Sequence, residues 1–166
     1  MKKVKKGFTL VELLVVIAII AILAAVIAPN AFKSIEKSKV SSAEADYKAI
    51  KTAALNFYAD VGQWPEGKEG EDPGFMSRDK LNLNDEIKNA WNGPYLEKWP
   101  SKNPWGGVYK FSNVDKKIVL ELDKVNENAV KRLKYDLGND VVIDNENAGN
   151  VTLIIAKEDS EESTGK

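Results

Sequence analysis

Hydrophobic and polar positions change their period twice along the chain. From Phe8 to Ala28 almost every residue is apolar, and Glu12 is the only charge. At about 1.5 Å per residue such a run makes a helix roughly 30 Å long, the thickness of a bilayer's hydrocarbon core. Between Asn30 and Val61 the pattern becomes amphipathic. Val40, Ala43, Tyr47, Ile50, Ala54, Phe57 and Val61 recur at spacings of three and four, with Lys48, Lys51 and Asp60 off that stripe. The two stretches predict one spine helix of some 54 residues, Phe8 to Val61, about 80 Å long, stopped by Gly62 and Pro65. From Val108 onward the period shortens to two. Residues 108–111 and 117–122 predict a hairpin turning at Asn113–Asp115, with Ile118, Leu120 and Leu122 inward and Val119, Glu121 and Asp123 outward. A helix from the N-cap Asn126 to Leu137 follows, with Val125 stapled onto Val130 and Gly138 closing it. Strands at 140–144 and 150–156 complete the sheet, joined by a turn at Asn145–Gly149. The predicted fold class is α+β: a long N-terminal helical spine packed against a small antiparallel sheet.

Between spine and sheet lies a connection rich in Gly, Pro, Trp and charge, residues 62–106, with a short helix predicted at 84–91 behind the N-cap Asn84. Its aromatics Trp91, Tyr95, Trp99 and Trp105 read as core packing in preference to a sugar- or receptor-binding surface. Residues 157–166 are polar and acidic and read as a frayed, disordered tail.

Composition narrows the chemistry. The chain has no cysteine and no histidine, which excludes disulfides, Cys or His nucleophiles and His-based metal sites. Asp140, Asp144 and Glu146, with Asn145 and Asn147, could offer oxygen ligands to calcium. Their spacing does not match an EF-hand, and a solvated turn is the plainer reading. No phosphate-cradling glycine loop or catalytic constellation is present, so neither an enzyme nor a cofactor is expected. The 24 basic and 25 acidic side chains nearly balance. Without the four lysines that precede Gly7 the balance would be 20 against 25, mildly acidic and unsuited to nonspecific nucleic-acid binding.

The start of the chain is the most specific stretch. Lys2, Lys3, Lys5 and Lys6 precede Gly7, and the apolar run follows. By the positive-inside tendency these lysines stay in the cytoplasm. A secretory signal has an apolar middle of roughly 7–15 residues, shorter than this one. A plain membrane anchor gains nothing from Glu12, since an intramembrane carboxylate is expensive.

The segment Lys5-Lys6-Gly7-Phe8-Thr9-Leu10-Val11-Glu12-Leu13 resembles the class III signal of type IV pilins and pseudopilins. The resemblance implies a leader, residues 1–7, cleaved between Gly7 and Phe8 by a membrane prepilin peptidase. It also implies N-methylation of the new Phe8 amino group. Glu12 falls where the family carries its glutamate, and Pro29 where it often has a helix-breaking proline. A buried ammonium needs a counter-charge, so Glu12 of one subunit is expected to neutralise Phe8 of the next and set register during assembly. Pro29 removes a backbone donor and implies at least a kink, with unwinding of residues 24–29 expected in a filament.

By this resemblance residues 8–29 are the transmembrane and filament-core helix, residues 30–61 the amphipathic half of the spine, and residues 107–156 the sheet with its inserted helix. The partners implied are copies of the chain itself in a helical homopolymer, the assembly machinery with its minor pilins, and the membrane before assembly. The implied location is the cytoplasmic membrane as a single-pass precursor, then an extracellular pilus. Gly93-Pro94-Tyr95-Leu96 and Asn103-Pro104-Trp105-Gly106 resemble a block of the major type II secretion pseudopilin, with Asn103 in place of its usual Asp. That supports an alternative: a pseudopilin of a secretion or DNA-uptake apparatus. A membrane-tethered glycan-binding protein using the Trp-rich loop is the third reading.

Overall fold

Helix α1 runs from Leu10 to Val61 with Pro29 inside it. The computed structural model describes residues 7–67, 69–81, 84–145 and 149–157, and the chain divides into two units, Met1–Ser38 and Lys39–Lys166. In the first unit α1 starts at Leu10, two residues later than the apolar pattern alone predicts, because Thr9 caps it. No residue in its apolar window, of mean hydropathy 3.2, is buried.

The second unit holds the rest of α1 and the sheet. Val40, Ala43, Tyr47, Ile50, Ala54, Phe57 and Val61 are all buried, joined by Ala53. Strands β1 (Tyr109–Val114), β2 (Lys117–Leu122), β3 (Val142–Asp144) and β4 (Val151–Lys157) pair antiparallel in the order β1-β2-β4-β3. Tyr109 and Phe111 stand opposite Leu122 and Leu120, which face Val151 and Leu153 in turn. These rows close one core with the α1 stripe. Tyr47 ties helix to sheet, its hydroxyl donating to Ile154 O at 2.6 Å. Burial, with Asp140 nearby adding to it, pushes that phenol up to about 12.

Two short helices follow their caps. In α2 (Asp85–Ala90) the side chain of Asn84 accepts from Ile87 N–H, and in α3 (Glu127–Leu137) that of Asn126 accepts from Ala129 N–H. Gly138, at φ 100°, ends α3.

Several sequence expectations are corrected. The hairpin turns at Asp115–Lys116, not Asn113–Asp115, and both turn residues have positive φ (50° and 59°). A two-residue loop of that kind matches the twist of the strands it joins, so β1 extends to Val114. Val119, expected to face solvent, is buried, as is Ile154 beside it in the pairing. The β2–β4 register slips between Ile118 and Val119, so the pairing passes from Ala156 to Ile154. The strand expected from Asp140 starts only at Val142.

The long connection is more ordered than its composition suggests. It contains a 3₁₀ turn at Arg78–Lys80 as well as α2. Its anchor is Phe75, fully buried, whose ring makes T-shaped contacts with Phe57 and Phe111 at centroid distances of 5.8 and 5.3 Å. The carbonyl of Phe75 accepts from Tyr95 N–H and Leu96 N–H at 2.8 and 3.3 Å. Trp99 is buried, and Trp91, Tyr95 and Trp105 pack partly buried against the same core. Gly70 N–H donates to Tyr109 O at 2.8 Å, and Glu69 bridges to Lys110. The connection therefore covers part of the outer edge of β1, which would otherwise be open to strand pairing. The tail beyond Lys157 lies outside the described residues.

Candidate assembly site at the helix N-terminus

Thr9 and Glu12 form a reciprocal cap. Thr9 N–H and Thr9 Oγ1 donate to Glu12 Oε2 at 2.8 and 2.7 Å, and Glu12 N–H donates to Thr9 Oγ1 at 3.2 Å. Thr9 is thus the N-cap and Glu12 the third helical residue of a capping box. Two N–H groups of the first turn, which have no partner within a helix, find one here. The box also explains how a carboxylate is tolerated at the head of an apolar helix, since the polar groups satisfy one another. Both bonds received by the carboxylate fall on Oε2. A carboxylate has acceptor capacity on each oxygen, so the box does not exhaust Glu12.

Phe8 is 88 % exposed, and a Cβ built on Gly7 would meet nothing within 4 Å. The Gly7–Phe8 peptide is thus uncrowded within the described residues. Thr9 is the residue of this box that the apolar pattern does not single out. Its signal, Thr-x-x-Glu ahead of an apolar run, is a standard helix start. Pro29 lies within α1, and the helix continues through it.

Of the acidic residues considered for calcium, Asp140 and Asp144 lie among the described residues. Asp144 Oδ2 accepts from Lys134 Nζ at 3.2 Å. Asp140 lies near Tyr47, and Glu146 falls outside the described residues. Among the described residues no three metal-ligating side chains gather.

Comparison with known proteins places this geometry in a family. A family model described as "PilW, C-terminal" matches residues 34–129, and one described as "Prokaryotic N-terminal methylation motif" matches residues 2–28. The chain is 35 % identical over 111 residues to type II secretion system core protein G of Pseudomonas aeruginosa, covering 66 % of this chain and 75 % of that one. It is 44 % identical over 59 residues to the type IV major pilin protein PilA of Myxococcus xanthus, covering 36 % of this chain but only 27 % of that one. The major type IV pilin PilA1 of Clostridium difficile has a similar fold, with a TM-score of 0.52 at 23 % identity over 74 % of this chain and 97 % of that structure. The chain belongs to the superfamily of type IV pilins and type II secretion pseudopilins. Its members are structural proteins of pilus-like polymers.

Proposed function

We propose that this chain is a pilin: a structural subunit, without catalytic role, that polymerises into a type IV pilus. The observation that carries the reading is the apolar stretch of α1, uncovered throughout, with Glu12 its only charge. Such a surface must stay away from water. In the waiting precursor, lipid covers it, with the leader lysines on the cytoplasmic side. After cleavage between Gly7 and Phe8 and methylation of Phe8, neighbouring copies of the same helix cover it in the filament core. Apolar surface is shielded in both places, so the transfer need not expose it at equilibrium. Glu12 sets register by meeting the new amino group of Phe8 on an adjacent subunit. Pro29 marks where α1 yields when the helices crowd together.

Mass spectrometry of filaments sheared from cells tests this. The expected result is an abundant chain beginning at methylated Phe8. A filament chain that retains residues 1–7 would overturn it.

One observation favours a second reading, a pseudopilin forming a short secretion fibre. Similarity to the core protein G relative extends over 75 % of that chain, and residues 93–96 and 103–106 resemble the pseudopilin block. Antibody labelling of long surface fibres separates the two, since a pseudopilin would label none.

A further inference from the structure

The helix turn just beyond the apolar run carries two patterns at once. Phe32 and Ile35, three residues apart, are 68 % and 51 % exposed. Lys33 and Lys37, four apart, are exposed as well. At helical spacing each pair shares a face, and the two pairs point to roughly opposite sides. Ser34 Oγ donates to Asn30 O at 3.0 Å, so its hydroxyl is turned onto the helix backbone. The segment is therefore amphipathic, with exposed lysines on one side and exposed apolar side chains on the other.

We propose that this turn is a lipid collar: Lys33 and Lys37 bind the phosphates of anionic phospholipid headgroups on the far side of the bilayer from the leader lysines. The proposal rests on the reading that the apolar part of α1 stands in a membrane. Position is the first argument. Phe8 to Ala28 spans about 30 Å, which uses up the hydrocarbon, and the headgroup layer on each side adds about 5–7 Å. Lys33 is five residues beyond Ala28, about 7 Å further on. Lys37 is nine residues beyond Ala28, about 13 Å, so the turn leaves the headgroup layer there, and the long lysine side chains reach back towards its phosphates. Chemistry is the second argument. Lysine has a long apolar stem and a charged end, so it can lay the stem on lipid and reach a phosphate. Phe32, four residues beyond Ala28 and so about 6 Å out, stands at headgroup level. Two lysines face one acid, Glu36, over residues 31–38, so the segment complements a negative surface. The collar fixes how deep the subunit waits, and its lipids must be shed when the subunit is lifted out.

The chain has no cysteine, so a spin label can be placed at one site in the full-length protein. Ser38→Cys reports the collar and Ala18→Cys the middle of the span. Each is reconstituted in vesicles of phosphatidylcholine, alone or with phosphatidylglycerol, and label depth is read from its contact with oxygen and with an aqueous nickel complex. With phosphatidylglycerol the Ser38 label should move inward by up to one helical turn, about 5 Å. The double variant Lys33→Gln, Lys37→Gln should lose that shift, and Lys33→Arg, Lys37→Arg should keep it. A Ser38 label at equal depth in both vesicles, or a shift that survives the glutamines, overturns the collar. So does a glutamine variant that blocks filament growth with its depth unchanged, because the lysines would then serve a second copy of the chain. An Ala18 label outside the hydrocarbon sinks the membrane reading itself, and the collar with it.

Discussion

Glu12 holds Thr9 by both its backbone N–H and its hydroxyl, at 2.8 and 2.7 Å, through a single carboxylate oxygen. The residue proposed to pair with a neighbouring subunit is thus already employed within its own chain. Its two roles can be separated. Glu12→Gln keeps an acceptor oxygen at the third helical position, so the cap and membrane insertion should survive. It removes the charge proposed to meet the Phe8 ammonium. The expected outcome is a cleaved, membrane-resident subunit that yields few or no filaments, scored by fractionation and electron microscopy. Thr9→Val instead removes the cap while keeping the charge, at about 1 kcal/mol of helix stability. Wild-type filament yield from Glu12→Gln would refute the charge role.

Gly67 fixes the long connection to the sheet edge. A Cβ there would lie 1.5 Å from Phe111 O and 2.4 Å from Phe111 C, both backbone atoms that cannot turn aside. Gly67→Ala should therefore lift the connection from β1 and loosen the Glu69–Lys110 bridge. We expect a loss of about 1–3 kcal/mol, as for overpacked sites, and faster amide exchange at Gly70, whose N–H donates to Tyr109 O. Unchanged exchange at Gly70 would show that the edge is held elsewhere.

Asn103 opens the second segment of the block that resembles the secretion pseudopilins, and its amide is used at both ends. Nδ2 donates to Asp123 O at 2.7 Å and Val108 O at 3.3 Å, while Oδ1 accepts from Trp105 N–H and Gly107 N–H at 2.9 and 3.1 Å. Asp123 Oδ1 in turn accepts from Val108 N–H. An aspartate at position 103, the residue that the resemblance implies, would retain the acceptor but face two carbonyls and the Asp123 carboxylate without a donor. Asn103→Asp should thus cost about 1–3 kcal/mol at neutral pH. Part of that loss should return in acid, where a protonated carboxyl can donate. Thermal melts across pH measure both, and an unaltered melting temperature at pH 7 would contradict the network.

These residues show what was legible in the chain. The α1 stripe could be read because a core on one side of a helix forces a spacing of three and four. Asn84, Asn126 and Gly138 could be read because caps act locally. Phe75 could not, because its burial depends on Phe57 and Phe111, distant in sequence, and its neighbours Gly74 and Pro73 signal a loop. The hairpin turn was misplaced because Asn113 is a favoured turn residue, whereas Lys116, which adopts positive φ, is not. At the candidate site Glu12 stood out as a lone charge in an apolar run. Its partner Thr9 did not, because the helix start that makes it a cap lies two residues inside the apolar run.

Glu44 supplies a test of the helix–helix contact in acid. One of its oxygens, Oε1, is buried with no hydrogen-bond partner. Burial pushes its carboxyl above the usual range, and Asp136 on α3 adds to this by repulsion and by a shared hydrogen bond, against smaller opposing effects of Lys48 and Arg132. Arg132 Nε meanwhile donates to Asp136 Oδ2 at 2.6 Å. A carboxyl whose folded pKa is raised binds its proton more tightly folded than unfolded. Its contribution is therefore complete below the unfolded value of 4.5 and is lost as pH rises through the raised one. Glu44→Gln removes the charge and can still donate to Asp136. It should stabilise the protein at pH 7, by about 1 kcal/mol for a satisfied buried polar group, and make little difference near pH 4. Urea unfolding at the two pH values reads this directly. Equal stabilisation at both, or destabilisation at pH 7, would mean that Glu44 is held as a carboxylate by Lys48 and Arg132 and that Asp136 does not share its proton.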